Sequence, residues 1–214
     1  MGWTVIDITD RGSSSLELLK KHSSFRVGEK WKAGQSDIEV ETVASGAGGA
    51  YAVLKRTMPG KDTIRFAAVI KVERTRKEFR FKEFTEFDGP YLYGIPESLF
   101  RRLSSPDEIQ AQLNPGDTLD SLLGWRAAVK ARLEQKRQFK NLVPGDVIEF
   151  NNDLLFGSGK DGCLVRRFTV RVTGRTHRFL AHPPNAAPFS CSLRRHTLET
   201  IPFQLIARAS SNPL

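Results

Sequence analysis

Between residues 37 and 84 the chain alternates with a period of two, and turn-forming residues cut the alternation into four lengths. Ile38, Val40, Thr42 and Ala44 interleave with Asp37, Glu39, Glu41 and Val43. Such spacing sends successive side chains to opposite faces of a strand. Ser45-Gly46-Ala47-Gly48-Gly49 then turns the chain into a return strand over 50–56, and Met58 to Asp62 turns it again. Residues 64–74 read as a long strand with an apolar centre. Residues 78–84 alternate once more, with Phe79, Phe81 and Phe84 as inward candidates. With a first strand over 3–8, this block predicts an antiparallel sheet of four or five strands. Gly46-x-Gly48-Gly49 is a hairpin turn on this reading. A phosphate loop needs a following helix and Lys-Ser/Thr, and neither is present.

Helices surround the sheet. Ser14-x-x-Glu17 has the form of a capping box and opens a short helix through His22, with Leu16, Leu18 and Leu19 as its apolar side. Pro96-Glu97 opens another, with Pro at the first helical position. Residues 104–117 read as irregular and exposed. A longer helix is predicted over 118–139, burying Leu119, Leu122, Leu123, Trp125, Ala128, Val129 and Leu133. Its opposite face carries Arg126, Lys130, Arg132, Lys136, Arg137 and Lys140.

Val143-Pro144-Gly145-Asp146 begins a different texture, with short strands predicted over 147–150, 163–172, 176–181 and 200–207. Short strands at this spacing suggest a small SH3-like β-barrel. The expected fold is therefore α+β over residues 1–140, an antiparallel sheet with helices, followed by a barrel over 141–214.

Charge divides the chain in the same way. Residues 1–125 hold 18 Lys and Arg and 18 Asp and Glu, whereas residues 126–214 hold 15 and 6, so the entire +9 lies in the last two-fifths. Such an asymmetry suits an acidic partner, nucleic acid above all, and also suits plain solubility. The candidate contact residues are Arg166, Arg167, Arg171, Arg175, Arg178, Arg194 and Arg195, with Lys130, Lys136 and Arg137 of the helix. Arginine forks bind phosphate oxygens in pairs. Along a strand Arg167 and Arg171 share a face and Arg166 points away from it.

No apolar run approaches the roughly 18 residues of a membrane span, and the first residues lack the form of a signal peptide. Cys163 and Cys191 form no Cys-x-x-Cys pair. The expectation is two buried free thiols in a reducing cytoplasm. His177 and His182 could line one face with Cys191, but no zinc spacing is present among the histidines and cysteines, so no metal or other cofactor is expected.

One stretch remains, Phe81-Lys82-Glu83-Phe84-Thr85-Glu86-Phe87-Asp88-Gly89-Pro90, followed by Tyr91, Tyr93 and Pro96. It resembles the aromatic-Lys-acid-x-x-Glu-x-x-Gly-Pro signature of an uncharacterised family encoded by phages, plasmids and integrative elements. Members of that family often begin Met-Gly-Trp, as this chain does. Trp125-Arg126 and the Pro-Gly-Asp opening resemble it too, while Phe stands here where the family usually has Tyr or Met. The resemblance implies a mobile-element accessory protein and supplies no catalytic residue. Three functions follow as expectations. The first is a nucleic-acid-binding module. The second is a counter-defence inhibitor, of the anti-CRISPR or anti-restriction kind, that binds a host nucleoprotein complex. The third is a metal-dependent hydrolase built on Glu83, Glu86 and Asp88. Glu83 and Glu86 face opposite sides of a strand, whereas Glu86 and Asp88 would share one. The competing role for these acids is structural, bonding nearby backbone groups or Arg126.

Overall fold

A computed structural model describes residues 2–7, 13–88, 92–112, 118–157, 162–172, 178–193 and 201–209. The chain divides into two compact units, 1–130 and 131–214. The division falls inside a helix, ten residues before the boundary expected from the sequence.

The first unit is built on six strands: β1 (Thr4–Asp7), β2 (Lys30–Ala33), β3 (Ser36–Gly46), β4 (Gly49–Thr57), β5 (Ile64–Arg74) and β6 (Glu78–Thr85). They form one antiparallel sheet in the order β1-β6-β5-β4-β3-β2, curled into a half-barrel. β3 and β4 meet in a tight hairpin, Gly46 opposite Gly49, with Gly48 at φ 82°. That torsion lies in the left-handed region, which glycine enters without penalty.

Curling lets both faces of the central strands be buried. On one face Ala50, Ala52 and Leu54 of β4 pack with Phe66, Ala68 and Ile70 of β5 and with Phe79 and Phe81 of β6. Helix α1 (Ser15–His22) closes this side through Leu19. Its capping box is complete: Ser14 Oγ accepts the Glu17 N–H, and Glu17 accepts the Ser14 N–H. Phe84 has the opposite parity to Phe79 and Phe81, sits opposite Val69, and is buried with the other face.

Three helices follow β6: α2 (Glu97–Phe100), α3 (Pro106–Gln110) and α4 (Asp120–Lys140). Pro96 is the N-cap of α2 rather than its first helical residue. Where an irregular, exposed stretch was expected, α3 is a helix with a capping box of its own, Ser105 and Glu108, and Ile109 is 0% exposed. Leu119, just before α4, and Leu122, Trp125, Val129 and Leu133 along it are buried, but of the residues expected among them Leu123 is exposed and Ala128 only partly buried.

The second unit holds β7 (Val147–Phe156), β8 (Cys163–Val172), β9 (Arg178–His182), β10 (Phe189–Ser192) and β11 (Phe203–Ala207), an antiparallel sheet in the order β10-β9-β8-β7-β11. Its core is aromatic. Phe150, Phe156, Phe168, Phe179, Phe189 and Phe203 touch in a chain of mostly edge-on rings, and Phe139 and Leu142 join the same core. Edge-on packing sets the positive rim of one ring against the negative face of the next.

The Pro144-Gly145-Asp146 turn, which leads into β7, is bonded to the strands on either side of it, β8 and the end of β11. Gly145 has φ 95° and donates its N–H to Val170 O. The Asp146 carboxylate, fully buried, accepts the N–H groups of Val143 and Ala209, the latter just beyond β11. A side chain at 145 would also crowd Ala209, its Cβ lying 2.9 Å from that of Ala209.

Among the described residues the architecture is thus mostly antiparallel β with few helices, so the α+β expectation holds only loosely. Cys163 and Cys191 are free thiols, half-buried rather than buried. Burial pushes the Cys191 thiol up to about 11. Among the described residues no helix is long and apolar enough to cross a membrane.

Candidate nucleic-acid interface

The acids of the signature are each engaged by the fold. Glu83 lies on the α1 side of the sheet, where its carboxylate accepts Ser23 Oγ–H at 2.5 Å, Ser24 N–H at 2.9 Å and Ser24 Oγ–H at 2.6 Å. It ties the end of α1 to β6. Glu86 is past the end of β6, in a turn, and is 0% exposed. Its Oε2 and Oε1 accept Nε and Nη2 of Arg126, both at 2.8 Å, and Oε1 also accepts the Ala67 N–H at 3.0 Å. Arg126 donates its remaining terminal nitrogen to Ser104 O. Asp88 Oδ2 accepts the N–H and the hydroxyl of Thr85.

Strand geometry therefore does not join Glu86 and Asp88 on one face, because the strand stops at Thr85. A buried carboxylate with a bidentate arginine and a backbone donor is a satisfied structural pair. Arg126 accordingly leaves the basic face of α4 to which it was assigned, its side chain being 10% exposed. Lys82 places its ammonium 4.8 Å from the centre of the Phe84 ring. Tyr93 is exposed beside Gly94, which bridges Ala47 at the β3–β4 hairpin. Gly89, Pro90 and Tyr91 lie outside the described residues.

Three open clefts of the first unit, of about 520, 490 and 570 Å³, are lined by residues other than Glu83, Glu86 and Asp88. Among the described residues no three His, Cys, Asp or Glu side chains come together as metal ligands would. Two further cations of the first unit are also committed. Arg65 holds Glu41 with two hydrogen bonds of 2.9 and 3.0 Å, and Arg102 adds a third. The Arg65 bond in particular keeps the Glu41 carboxyl below its usual range.

The second unit presents its arginines differently. Phe168 and Val170 of β8 point into the core, opposite Ala181 and Phe179 of β9. The residues between and beside them, Arg167, Thr169 and Arg171, face outward, and both arginines are exposed. Arg167 lies between Glu149 of β7 and His182 of β9 in the cross-strand register. Thr169 Oγ1 and His182 Nε2 are 2.8 Å apart. Arg178 opens β9 opposite Val172, next to Arg171. Arg167, Arg171 and Arg178 are thus all exposed along β8 and the start of β9, with Arg171 at the register shift between Val170 and Val172.

Arg166 is exposed as well, and not on the inner side of the strand. Between Glu149 and Leu154 the register of β7 shifts, and the alternation of β8 breaks between Val165 and Phe168, which both point inward. Arg166 is held by Asp153 of β7 at 2.5 Å, and this bond raises its pKa. His182 faces outward and Cys191, paired with Phe179, inward, so they do not share a face.

Lys130 closes the first unit, while Lys136 and Arg137 lie in the second, Arg137 beside Glu134 at 3.5 Å. Arg175, Arg194 and Arg195, together with His177 and His196, lie outside the described residues.

No curated protein and no solved structure matches the chain. A family model described as a domain of unknown function, DUF6927, matches residues 109–195. The matched stretch takes in Trp125-Arg126, the Pro144-Gly145-Asp146 turn and the arginines of β8, and leaves out the 81–96 signature and β11.

Proposed function

We propose that this protein binds nucleic acid, alone or within a nucleoprotein complex, and does so without chemistry, through the outer sheet face of its second unit. The observation that carries the reading is the exposure of Arg167, Arg171 and Arg178 along β8 and the start of β9, within a stretch that holds the chain's whole excess of positive charge. Guanidinium groups on a rigid sheet are pre-positioned for phosphate oxygens. The strand order, with the last strand beside the first, supports reading this unit as an SH3-like barrel. The resemblance of residues 81–96 supports an accessory role on a mobile element. A hydrolase at Glu83, Glu86 and Asp88 is disfavoured by the hydrogen bonds that tie each of the three acids to the fold.

Titrating short duplex and single-stranded probes at several salt concentrations tests the reading. Displaced counterions make the affinity of a phosphate-gripping face fall steeply with salt, and each lost contact lowers the slope by about one unit. The Arg167→Ala, Arg171→Ala double variant therefore has a slope about two units shallower than wild type on that rule. Arg166→Ala changes it less, because Asp153 already holds that side chain. A chelator leaves binding unchanged. Absence of binding at low salt defeats the reading and transfers it to a protein partner, such as a host defence complex.

A further inference from the structure

The outer side of the β7–β8 hairpin carries a small apolar island. Leu155 and Leu164 stand directly opposite each other and are 67% and 53% exposed. Their neighbours along each strand, Leu154 and Val165, form the next pair and turn inward to the core. Phe156 and Cys163, the pair beyond, also pack inward. The two leucines are therefore displayed by a hairpin whose other side is anchored. Two residues further on lie Asp153 and Arg166, exposed and bonded to each other at 2.5 Å. Asp153, Leu155, Leu164 and Arg166 make a square that is apolar at one end and charge-balanced at the other.

We propose that this square is a two-fold contact between copies of the chain. Its occupant follows from charge. Residues 126–214 carry 15 basic and 6 acidic side chains, so two copies repel over most of this surface. The square carries no net charge, and it is where two copies approach at least cost. It is also self-complementary, as a two-fold interface requires: leucine meets leucine, and the Arg166 of each copy meets the Asp153 of the other.

Sedimentation equilibrium of the full chain, free of nucleic acid, tests this separately from the binding reading. The average mass of wild type rises with concentration toward twice that of the chain. Added salt strengthens the association, because it screens the net repulsion, the opposite of its effect on nucleic-acid binding. Leu155→Ser with Leu164→Ser holds the protein at the single-chain mass with its circular dichroism unchanged. Asp153→Arg and Arg166→Asp each do the same alone, and their equal mixture associates, since each supplies the charges the other lacks. A wild type that keeps the single-chain mass at high salt overturns the proposal. So does a leucine variant that pairs like wild type, or a mixture of the charge variants that stays apart.

Discussion

Glu86 and Arg126 are forty residues apart in sequence and form the most enclosed ion pair among the described residues. Taking two charges out of water is costly, and here the cost is offset by a bidentate pairing, the Ala67 N–H and the Ser104 carbonyl. Removing one member leaves the other buried and unpaired, which costs about 3–5 kcal/mol. Arg126→Met is expected to lose stability in that range by urea unfolding. Glu86→Gln loses less, because an amide oxygen still accepts from Ala67 and Arg126. The Glu86→Gln, Arg126→Met double variant loses less than the two single losses added together, the signature of a direct coupling. Strict additivity would show that the pair does not lock α4 to the sheet. Glu86, one of the three acids weighed as catalytic, is bonded to Arg126, the structural partner that the sequence reading offers.

At the scale of elements, α3 is the instructive case. Ser105 Oγ accepts the Glu108 N–H, and Glu108 accepts the Ser105 N–H, so this short helix begins as α1 does. Ser105→Ala is expected to cost about 1 kcal/mol, the usual worth of such a cap, read by urea unfolding. A loss as large as that of a core deletion would point to a role beyond capping. The Ser105 backbone bond lowers the Glu108 carboxyl, so this half of the box is intact above the ordinary glutamate range and is lost as pH falls through the lowered value. Glu108→Gln flattens that acid-side slope. Ser105-Pro106-Asp107-Glu108 carries the same pattern as Ser14-x-x-Glu17, so the start of this helix was legible in a stretch expected to be irregular. Strands β3 to β6 were legible to within two residues because long alternation survives any context. β2 and β10 were not, since four residues such as Lys30-Trp31-Lys32-Ala33 hold too few periods and owe their pairing to the neighbouring strand. The arginine face was half legible. Arg167 and Arg171 are both exposed, but neither the register shift at Arg171 nor the one in β7 beside Arg166 leaves a mark in composition.

For the whole molecule, the boundary between units decides which piece stands alone. The core of the second unit includes Phe139, and Gln135 donates to Ile201 O. A fragment starting at Ala131 keeps both, and a fragment starting at Asn141 loses both. Deleting a buried phenylalanine side chain costs about 3–5 kcal/mol, a large share of the roughly 5–15 kcal/mol that holds a domain together. We expect residues 131–214 to unfold in one cooperative transition, and residues 141–214 to do so at markedly lower urea. The stretch matched by the family model stops at 195, before β11. A fragment ending there loses Phe203, whose ring lies 5.7 Å from that of Phe150, and the Ala209 N–H that satisfies the buried Asp146. An uncovered aromatic core and a buried carboxylate left with only its Val143 donor reinforce each other. Residues 131–195 are therefore expected to show no cooperative transition, by circular dichroism or by tryptophan-free near-ultraviolet signal from the phenylalanines. A sharp transition in that fragment would mean that β11 and the Asp146 fastening are ornaments to the second unit rather than its closing element.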